Sequence, residues 1–298
     1  MTILKIAAAQ YPIERLASWD TYTEKLTRWV VEAAARGADL LVFPEYGAME
    51  LASLDPATEG DLAASLDAVS ALLPRVDALH ADLARKHDVH ILAASAPRRD
   101  PDGKARNAAR LFAPSGAMAT QDKLVMTRFE REQWGIAPGT TLRLFDTALG
   151  LIGVVICYDA EFPLIARALV EAGAEMLLVP SCTDTLHGYW RVRIGAQARA
   201  LEGQCFAVQS PTVGTAGWSP AVDVNRGVAG VFGPPDRGMP EDGVIALGEV
   251  DAAQWVYAEI DTARVATLRT DGGVLNARDW RDQPGAAPLP SVTRVVLR

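Results

Sequence analysis

The chain has few cysteines, few histidines and no surplus of positive charge, and each shortage excludes a class of protein. Three cysteines and four histidines occur in 298 residues. An odd and widely spaced set of thiols predicts no disulfide framework and indicates a reducing compartment, so we expect a cytoplasmic protein. No Cys/His ligand spacing and no His-Glu-x-x-His sequence occurs. We therefore expect no zinc site.

Basic residues are outnumbered, and long apolar runs are missing. The net charge of −8 argues against a nucleic-acid partner. No stretch reaches the ~18 apolar residues of a membrane span. The apolar residues 1–10 form a short segment without a basic region before it, which predicts a first strand and not a signal peptide.

Apolar runs alternate with segments of helical periodicity along most of the chain. This pattern predicts an α/β fold whose sheets are covered by helices. Strands are predicted at 3–9, 39–43, 89–95, 141–145, 151–157, 176–180, 205–210 and 255–260. Helices are predicted at 20–36, 62–87 with an interruption at Pro74, 162–172 and 189–202.

A turn at residues 114–116 joins two further strands into a hairpin, so the sheets are predicted to be mixed. No internal repeat or low-complexity linker divides the chain. We therefore predict one domain over residues 1–298, with an extended C-terminal tail from about residue 262. The Gly- and Pro-rich residues 211–242 are predicted to form a loop.

Cys157 closes a buried-strand pattern and stands just before a predicted helix. The positive end of a helix dipole favours a thiolate, which makes this thiol a candidate nucleophile. The alternative is a buried structural cysteine at a strand end.

Two ionisable residues also stand in or at the ends of apolar strand patterns. Glu45 follows the strand 39–43, and Lys123 lies in the strand-like run 120–126. Burying either charge is costly unless it is paired. Alternatively, Glu45 caps the loop after it and Lys123 faces solvent from a half-buried strand.

The residues around these three positions resemble the signatures of one family, the nitrilase superfamily of carbon–nitrogen hydrolases. Three motifs carry the resemblance: Phe43-Pro44-Glu45, Asp122-Lys123-Leu124 and Ile156-Cys157-Tyr158-Asp159-x-x-Phe162-Pro163. A fourth, later motif is similar in Ser181-Cys182-Thr183 followed by Arg199-Ala200-Leu201-Glu202-Gly203-Gln204. The resemblance extends from the first strand to about Val213.

The resemblance implies a four-layer α-β-β-α sandwich with two mixed sheets and a homodimer or larger homo-oligomer. It also implies covalent thiol catalysis on a small molecule, for which no metal or organic cofactor is required. Cys157 would be the nucleophile, Glu45 the general base and Lys123 the oxyanion-stabilising cation. The backbone N–H of Tyr158 would be the second oxyanion donor.

A second glutamate usually follows the lysine in this family, and two candidates occur here. Glu130 fits the nitrilase-branch pattern Glu-Arg-x-x-Trp-Gly, whereas Glu132 fits the carbamoylase-branch spacing to Pro138-Gly139. We favour Glu130 and keep Glu132 as the alternative.

The substrate is predicted from motifs that disagree. Cys157-Tyr158-Asp159 resembles the amidase and carbamoylase branches, so we expect cleavage of an amide or N-carbamoyl compound with release of ammonia or an amine. The stretch 130–135 resembles the nitrile branch, so a nitrilase that forms a carboxylic acid is the alternative. A non-catalytic interaction module and a redox protein using Cys157 and Cys182 are hypotheses of different classes.

Several further residues are candidates for the substrate pocket: Tyr46, Trp134, Thr183 and Asp184. Asp184 would bind a substrate amine, with capping of a turn as the alternative. Trp190 is predicted to pack in the core.

Overall fold

The computed structural model describes residues 3–283 and 291–297. Its strands are β1 (Ile3–Pro12), β2 (Leu40–Val42), β3 (His90–Arg99), β4 (Ala105–Phe112), β5 (Met118–Asp122), β6 (Leu142–Thr147), β7 (Gly150–Val154), β8 (Met176–Ser181), β9 (Phe206–Thr215), β10 (Val224–Asn225), β11 (Gly230–Phe232), β12 (Val244–Leu247), β13 (Gln254–Asp261) and β14 (Val292–Val296). Its α-helices are α1 (Trp19–Ala35), α2 (Leu62–His87), α3 (Pro163–Glu171), α4 (Leu186–Gly203), α5 (Thr262–Asp271) and α6 (Asn276–Asp279).

The strands form two mixed sheets that are joined where β1 runs beside β9. The first sheet has the order β13-β1-β2-β3-β4-β5, with β1, β2 and β3 parallel. The second has the order β14-β6-β7-β8-β9-β11-β12, with β7, β8 and β9 parallel. Tyr11 and Pro12 pair with Thr212 and Val213 and connect the two sheets.

Alternation along β1 explains how the first sheet is covered on both faces. Ile6 and Ala8 pack in the cluster shared with the second sheet, α3 and α4. Ala7 and Ala9 point the other way, into the cluster formed with α1 and α2. Both faces are therefore buried, and the predicted mixed α/β fold with sandwich layering is confirmed.

The predicted hairpin is present in the structure, whereas the predicted break in α2 is not. The antiparallel β4–β5 hairpin occurs as predicted. The predicted interruption at Pro74 is wrong, because α2 runs through it from Leu62 to His87. Proline removes one backbone bond, but the neighbouring Leu73 and Val76 are buried, and their packing maintains the helix.

The C-terminal part is more regular than predicted. An extended tail from about residue 262 is wrong for the described residues, because α5 and α6 are helical and β14 adds a parallel strand beside β6. Residues 284–290 of that tail, and 298, lie outside the described residues. Residues 211–242 are also not all loop, since they contain the end of β9, β10 and β11.

Candidate active site

Glu45 follows β2 at the carboxyl end of the parallel strands, where three donors surround its carboxylate. Its Oε1 accepts from Lys123 Nζ at 2.7 Å and from Asn107 Nδ2 at 2.9 Å. Its Oε2 accepts from the Cys182 backbone N–H at 2.9 Å. Only 1% of the residue is exposed. Burial raises the pKa of the Glu45 carboxyl, and Lys123 opposes that rise.

Lys123 lies one residue beyond the end of β5, not within the strand as the sequence suggested. Its ammonium donates to Glu45 and to both oxygens of Glu130, at 2.9 Å and 2.7 Å. Burial by itself lowers the pKa of this lysine, but Glu130 and Glu45 more than offset it and hold the pKa well above its usual range. The solvent-facing alternative is wrong, because the side chain is 1% exposed.

The two candidate second glutamates occupy different environments. Glu130 is buried and accepts from Lys123, from the Tyr46 hydroxyl at 2.7 Å and from the Thr127 N–H and hydroxyl at 2.8 Å each. Despite its burial, these donors and the Lys123 charge lower the pKa of Glu130. The Glu132 side chain is 53% exposed and pairs with exposed Arg128. The geometry therefore brings Glu130, and not Glu132, against Lys123.

Cys157 begins a short 3₁₀ turn with a backbone φ of +50°, an uncommon value for a residue other than glycine. Its Sγ lies 3.7 Å from the Cys182 carbonyl oxygen. Burial and Glu45 raise the pKa of the Cys157 thiol well above its usual range, although Lys123 opposes them. Burial and the neighbouring carboxylate therefore oppose the thiolate form that a helix dipole favours.

Asp159 ties the loop after Lys123 to the turn that carries the candidate thiol. Its carboxylate accepts the backbone N–H groups of Val125 at 2.8 Å, Leu124 at 3.1 Å and Ile156 at 3.3 Å. Burial raises the pKa of Asp159 to about 7, while Lys123 and these N–H groups oppose the rise. The sequence motif contains this residue, but its bridging of two loops is visible only in the fold.

Asn107 and Ser95 are buried polar residues that the sequence analysis missed. Asn107 lies on β4, next to Glu45, and its backbone carbonyl oxygen accepts the Lys123 backbone N–H at 2.9 Å. Ser95 lies where the β3–β4 register shifts and donates to Asn107 Oδ1 at 2.6 Å. The strand pattern seen in the sequence begins after Asn107, whereas β4 of the structure includes it, and asparagine is depleted in strands.

The candidate pocket residues are divided between the buried interior and the surface. Tyr46 and Trp134 are buried and pack together behind Glu130, with ring centroids 4.8 Å apart. Tyr158 is half-buried and packs edge-on against Phe162. Thr183 and Asp184 follow β8; their contacts are Thr183 Oγ1 to the Arg226 carbonyl at 2.7 Å and the Thr185 hydroxyl to Asp184 Oδ1 at 3.3 Å.

Neither a metal-ligand cluster nor a membrane-spanning helix occurs in the described part of the chain. Among residues 3–283 and 291–297, no three His, Cys, Asp or Glu side chains cluster as a possible metal site. Over the same ranges no helix has both the length and the apolarity needed to span a bilayer.

The fold and this buried Glu–Lys–Glu arrangement beside a thiol define a class of protein. The family model of carbon-nitrogen hydrolases matches residues 5–269, and the chain belongs to that family. The resemblance to the nitrilase superfamily is thereby confirmed.

Curated relatives include a probable hydrolase and a nitrilase. The chain is 32% identical over 278 residues to the probable hydrolase YhcX of Bacillus subtilis, covering 93% of this chain and 54% of YhcX. It is 28% identical over 200 residues to nitrilase 2 of Arabidopsis thaliana, covering 63% of this chain and 57% of that enzyme. The chain thus spans little more than half the length of these relatives.

Solved structures share the fold at low identity. The carbon-nitrogen hydrolase of Helicobacter pylori matches with a TM-score of 0.71 and 20% identity, over 95% of both chains. An amidase from Nesterenkonia, whose active-site cysteine had added to acrylamide, matches with a TM-score of 0.64 and 20% identity over 93% of this chain and 99% of the amidase. At this identity the likeness establishes the fold alone.

Proposed function

We propose that the chain is an amidase-like hydrolase that cleaves the C–N bond of a small amide or N-carbamoyl compound through an acyl-thioester on Cys157. One observation carries the proposal: a fully buried ammonium, Lys123, lies between the carboxylates of Glu45 and Glu130 beside that thiol. Burial of three charged groups costs stability, and a catalytic site is where such a cost has a use.

The first half-reaction begins from the neutral thiol. Glu45 takes the Cys157 proton as Sγ bonds to the substrate carbonyl carbon, and the carbonyl π electrons move to oxygen. Lys123 and the Tyr158 backbone N–H stabilise the resulting oxyanion. The oxyanion then re-forms the carbonyl while the C–N bond breaks, and Glu45 returns the proton to the departing nitrogen.

The second half-reaction restores the enzyme. Glu45 takes a proton from water as the hydroxide bonds to the thioester carbon. When the tetrahedral intermediate collapses, the C–S bond breaks and the sulfur recovers the proton from Glu45. A carboxylic acid leaves, or a carbamic acid when the substrate is an N-carbamoyl compound.

Glu130 has the role of keeping Lys123 charged and oriented. Its five hydrogen bonds leave it no spare oxygen lone pair to act as a base, which supports an electrostatic role. We assign Tyr46 and Trp134 to supporting Glu130 from behind. Thr183 and Asp184 remain proposed substrate contacts.

The test is ammonia release from a panel of small amides, N-carbamoyl amino acids, carbamoyl amines and nitriles, with Cys157→Ala as the control. Release from an amide or carbamoyl compound by wild type alone is expected. The proposal would be overturned if no compound of the panel released ammonia and mass spectrometry found no covalent adduct on Cys157.

A nitrilase is the second candidate, and two observations favour it. The Glu-Arg-x-x-Trp-Gly pattern begins at Glu130, the residue against Lys123, and plant nitrilase 2 is a relative. Conversion of nitriles alone to the acid, without accumulation of amide, would select this candidate and keep the same nucleophile.

A non-catalytic module and a redox protein both have less support. An interaction module would have no use for a costly buried set of charges. A redox protein using Cys157 and Cys182 is disfavoured because Cys157 Sγ contacts the backbone carbonyl of Cys182, while the Cys182 thiol contacts Asn225 Oδ1 at 3.4 Å.

We also propose a homodimer or larger homo-oligomer. Large apolar side chains are exposed together along α4 and the start of α3, and the prediction that Trp190 packs in the core is wrong because it is 48% exposed. The exposed set is Leu164, Leu186, Trp190, Ile194 and Leu201. Light scattering of wild type and Ile194→Glu tests this, with a lower mass expected for the variant.

The remaining assignments rest on composition. The net charge of −8 supports a small-molecule partner over nucleic acid. The reactive thiol supports a reducing, cytoplasmic location. A single domain over the whole chain stays a prediction.

A further inference from the structure

We propose that Asn107 and Ser95 are positioning residues that hold Glu45 so that only one of its carboxylate oxygens is free to take the thiol proton. The proposal rests on the function proposed above and adds the chain of hydrogen bonds that orients Glu45 as the base. We call this chain the relay. The relay runs from the Tyr46 backbone N–H through Ser95 and Asn107 to Glu45.

The direction of every bond in this relay follows from its two ends. Lys123 donates to Glu45 Oε1, so that oxygen is an acceptor, and Asn107 must present its NH₂ group to it. The amide oxygen Oδ1 then faces Ser95 Oγ at 2.6 Å, and the serine must donate its hydroxyl proton there. A flipped amide would set two oxygens against each other at the glutamate.

The other end of the relay agrees with this direction. The Tyr46 backbone N–H donates to Ser95 Oγ at 3.0 Å, using one of the acceptor lone pairs that the hydroxyl retains. Tyr46 has a φ of +53°, and it is the residue directly after Glu45. The Ser95 backbone N–H donates to the Pro44 carbonyl at 3.0 Å, so Ser95 binds the chain on both sides of Glu45.

The consequence is an asymmetry between the two oxygens of the base. Oε1 accepts from two side chains, Lys123 and Asn107, whereas Oε2 accepts from the Cys182 backbone N–H. We infer that Oε2 is the oxygen that receives the Cys157 proton. Ser95 and Asn107 are both fully buried, so water does not replace a missing bond in this relay.

The test uses Asn107→Leu, Asn107→Asp and Ser95→Ala, with Ser65→Ala as the matched control. Ser65 is also buried, but its hydroxyl donates to the Leu62 carbonyl in the first turn of α2, outside the relay. That carbonyl also accepts from Trp134 Nε1 at 3.1 Å and keeps this donor in the variant. Two readouts are measured: kcat and KM on an amide that wild type hydrolyses, and the pH dependence of Cys157 alkylation by iodoacetamide, followed by intact mass.

Removing the amide donor disfavours the ionised base. For Asn107→Leu we expect kcat to fall about 10- to 100-fold, with KM within about threefold of wild type. We also expect the acid limb of the alkylation profile, the pH range in which the rate rises from its low-pH minimum, to move up by about one pH unit. Ser95→Ala should change kcat and the acid limb in the same direction but by less, and Ser65→Ala should leave kcat and the acid limb unchanged.

Asn107→Asp provides a signature that a purely structural role would not produce. A protonated aspartic acid can accept from Ser95 and donate to Glu45, as the amide does. The ionisable groups facing this position are Glu45 and Lys123, with Glu130 and Cys157 behind them. We therefore expect this variant to exceed Asn107→Leu in kcat at low pH and to lose that advantage as the shared proton leaves.

Several results would overturn the relay. The relay would be contradicted if Asn107→Leu had a kcat within twofold of wild type and an acid limb at the wild-type pH. A lower melting temperature in the leucine and alanine variants without a shift of the limb would also contradict it. If Asn107→Leu does not fold, the alkylation profile of Ser95→Ala is the test: an acid limb shifted to higher pH supports the relay, and an unshifted limb contradicts it. If no amide is hydrolysed, the proposed function fails, yet the alkylation limb still decides the relay.

Discussion

Lys123 Nζ lies 2.7 Å from Glu45 Oε1, and these two residues are 78 positions apart in the chain. One follows a strand of the first sheet and the other follows the hairpin at that sheet's edge. Because both are buried, water screens their charges only weakly, and each strongly shifts the pKa of the other. Glu130 on the far side of the ammonium adds a second negative charge, so the pair is part of a three-residue unit.

Replacing the candidate nucleophile tests the covalent mechanism. We expect Cys157→Ala to lower kcat by about 10⁴-fold or more and to leave the protein folded, because the thiol forms the bond to the substrate. Cys205→Ala is the matched control: this cysteine is also buried, but its Sγ contacts the Arg199 carbonyl. Activity of Cys157→Ala within tenfold of wild type would contradict the thioester.

Two buried lysines separate catalytic from structural charge. Lys123→Met should lower kcat about 10²- to 10³-fold, because the oxyanion loses its cation. Lys25, which pairs with Glu50 at 2.6 Å, is the control. Lys25→Met should cost about 3–5 kcal/mol of unfolding free energy, as breaking a buried pair does, with kcat retained by the folded fraction. Urea unfolding and initial rates measure both, and equal losses of kcat would refute the assignment.

The two glutamates after Lys123 give a paired comparison. Glu130→Gln keeps the shape but removes the charge that holds the ammonium, so we expect kcat to fall about 100-fold. Glu132→Gln disrupts an exposed pair with Arg128, worth about 0–1 kcal/mol, and should leave kcat within about twofold. The reverse order of effects would favour the carbamoylase-branch spacing.

His80 provides a pH dependence of stability that is independent of catalysis. It is buried, its Nδ1–H donates to the Val76 carbonyl at 2.8 Å, and burial lowers its pKa to about 3. The unfolded chain binds a proton near 6.5. Stability is therefore full above about 6.5 and falls by about 1.4 kcal/mol for each pH unit from there to about 3.

His80→Asn keeps a donor for Val76 and cannot titrate. Its unfolding free energy should lose this share of the acid dependence, whereas exposed His187→Asn should not change the curve. Chemical denaturation between pH 7 and 4 measures the slopes. An unchanged slope in His80→Asn would contradict the lowered pKa, because it would mean that His80 binds its proton over the same pH range in the folded and the unfolded chain.

How far the site could be predicted depends on the range of the interactions involved. Strands, helices and the order Glu45, Lys123, Cys157 follow from periodicity and short motifs, which are local. The local pattern favoured Glu130 but kept Glu132 open, because the two residues share a turn and differ in which way they point. Asn107 was missed because its partners, Glu45 and Ser95, come from other segments.

The sequence by itself determined the α/β class, the family and the three residues that we propose for the chemistry, because these depend on residue type and local pattern. Tertiary structure decided the direction in which the Cys157 pKa is shifted, the pairing of Glu130 with Lys123, the exposure of Trp190 and the continuity of α2 through Pro74. These properties depend on desolvation and on packing between segments distant in the chain, and neither is encoded in the spacing of residues.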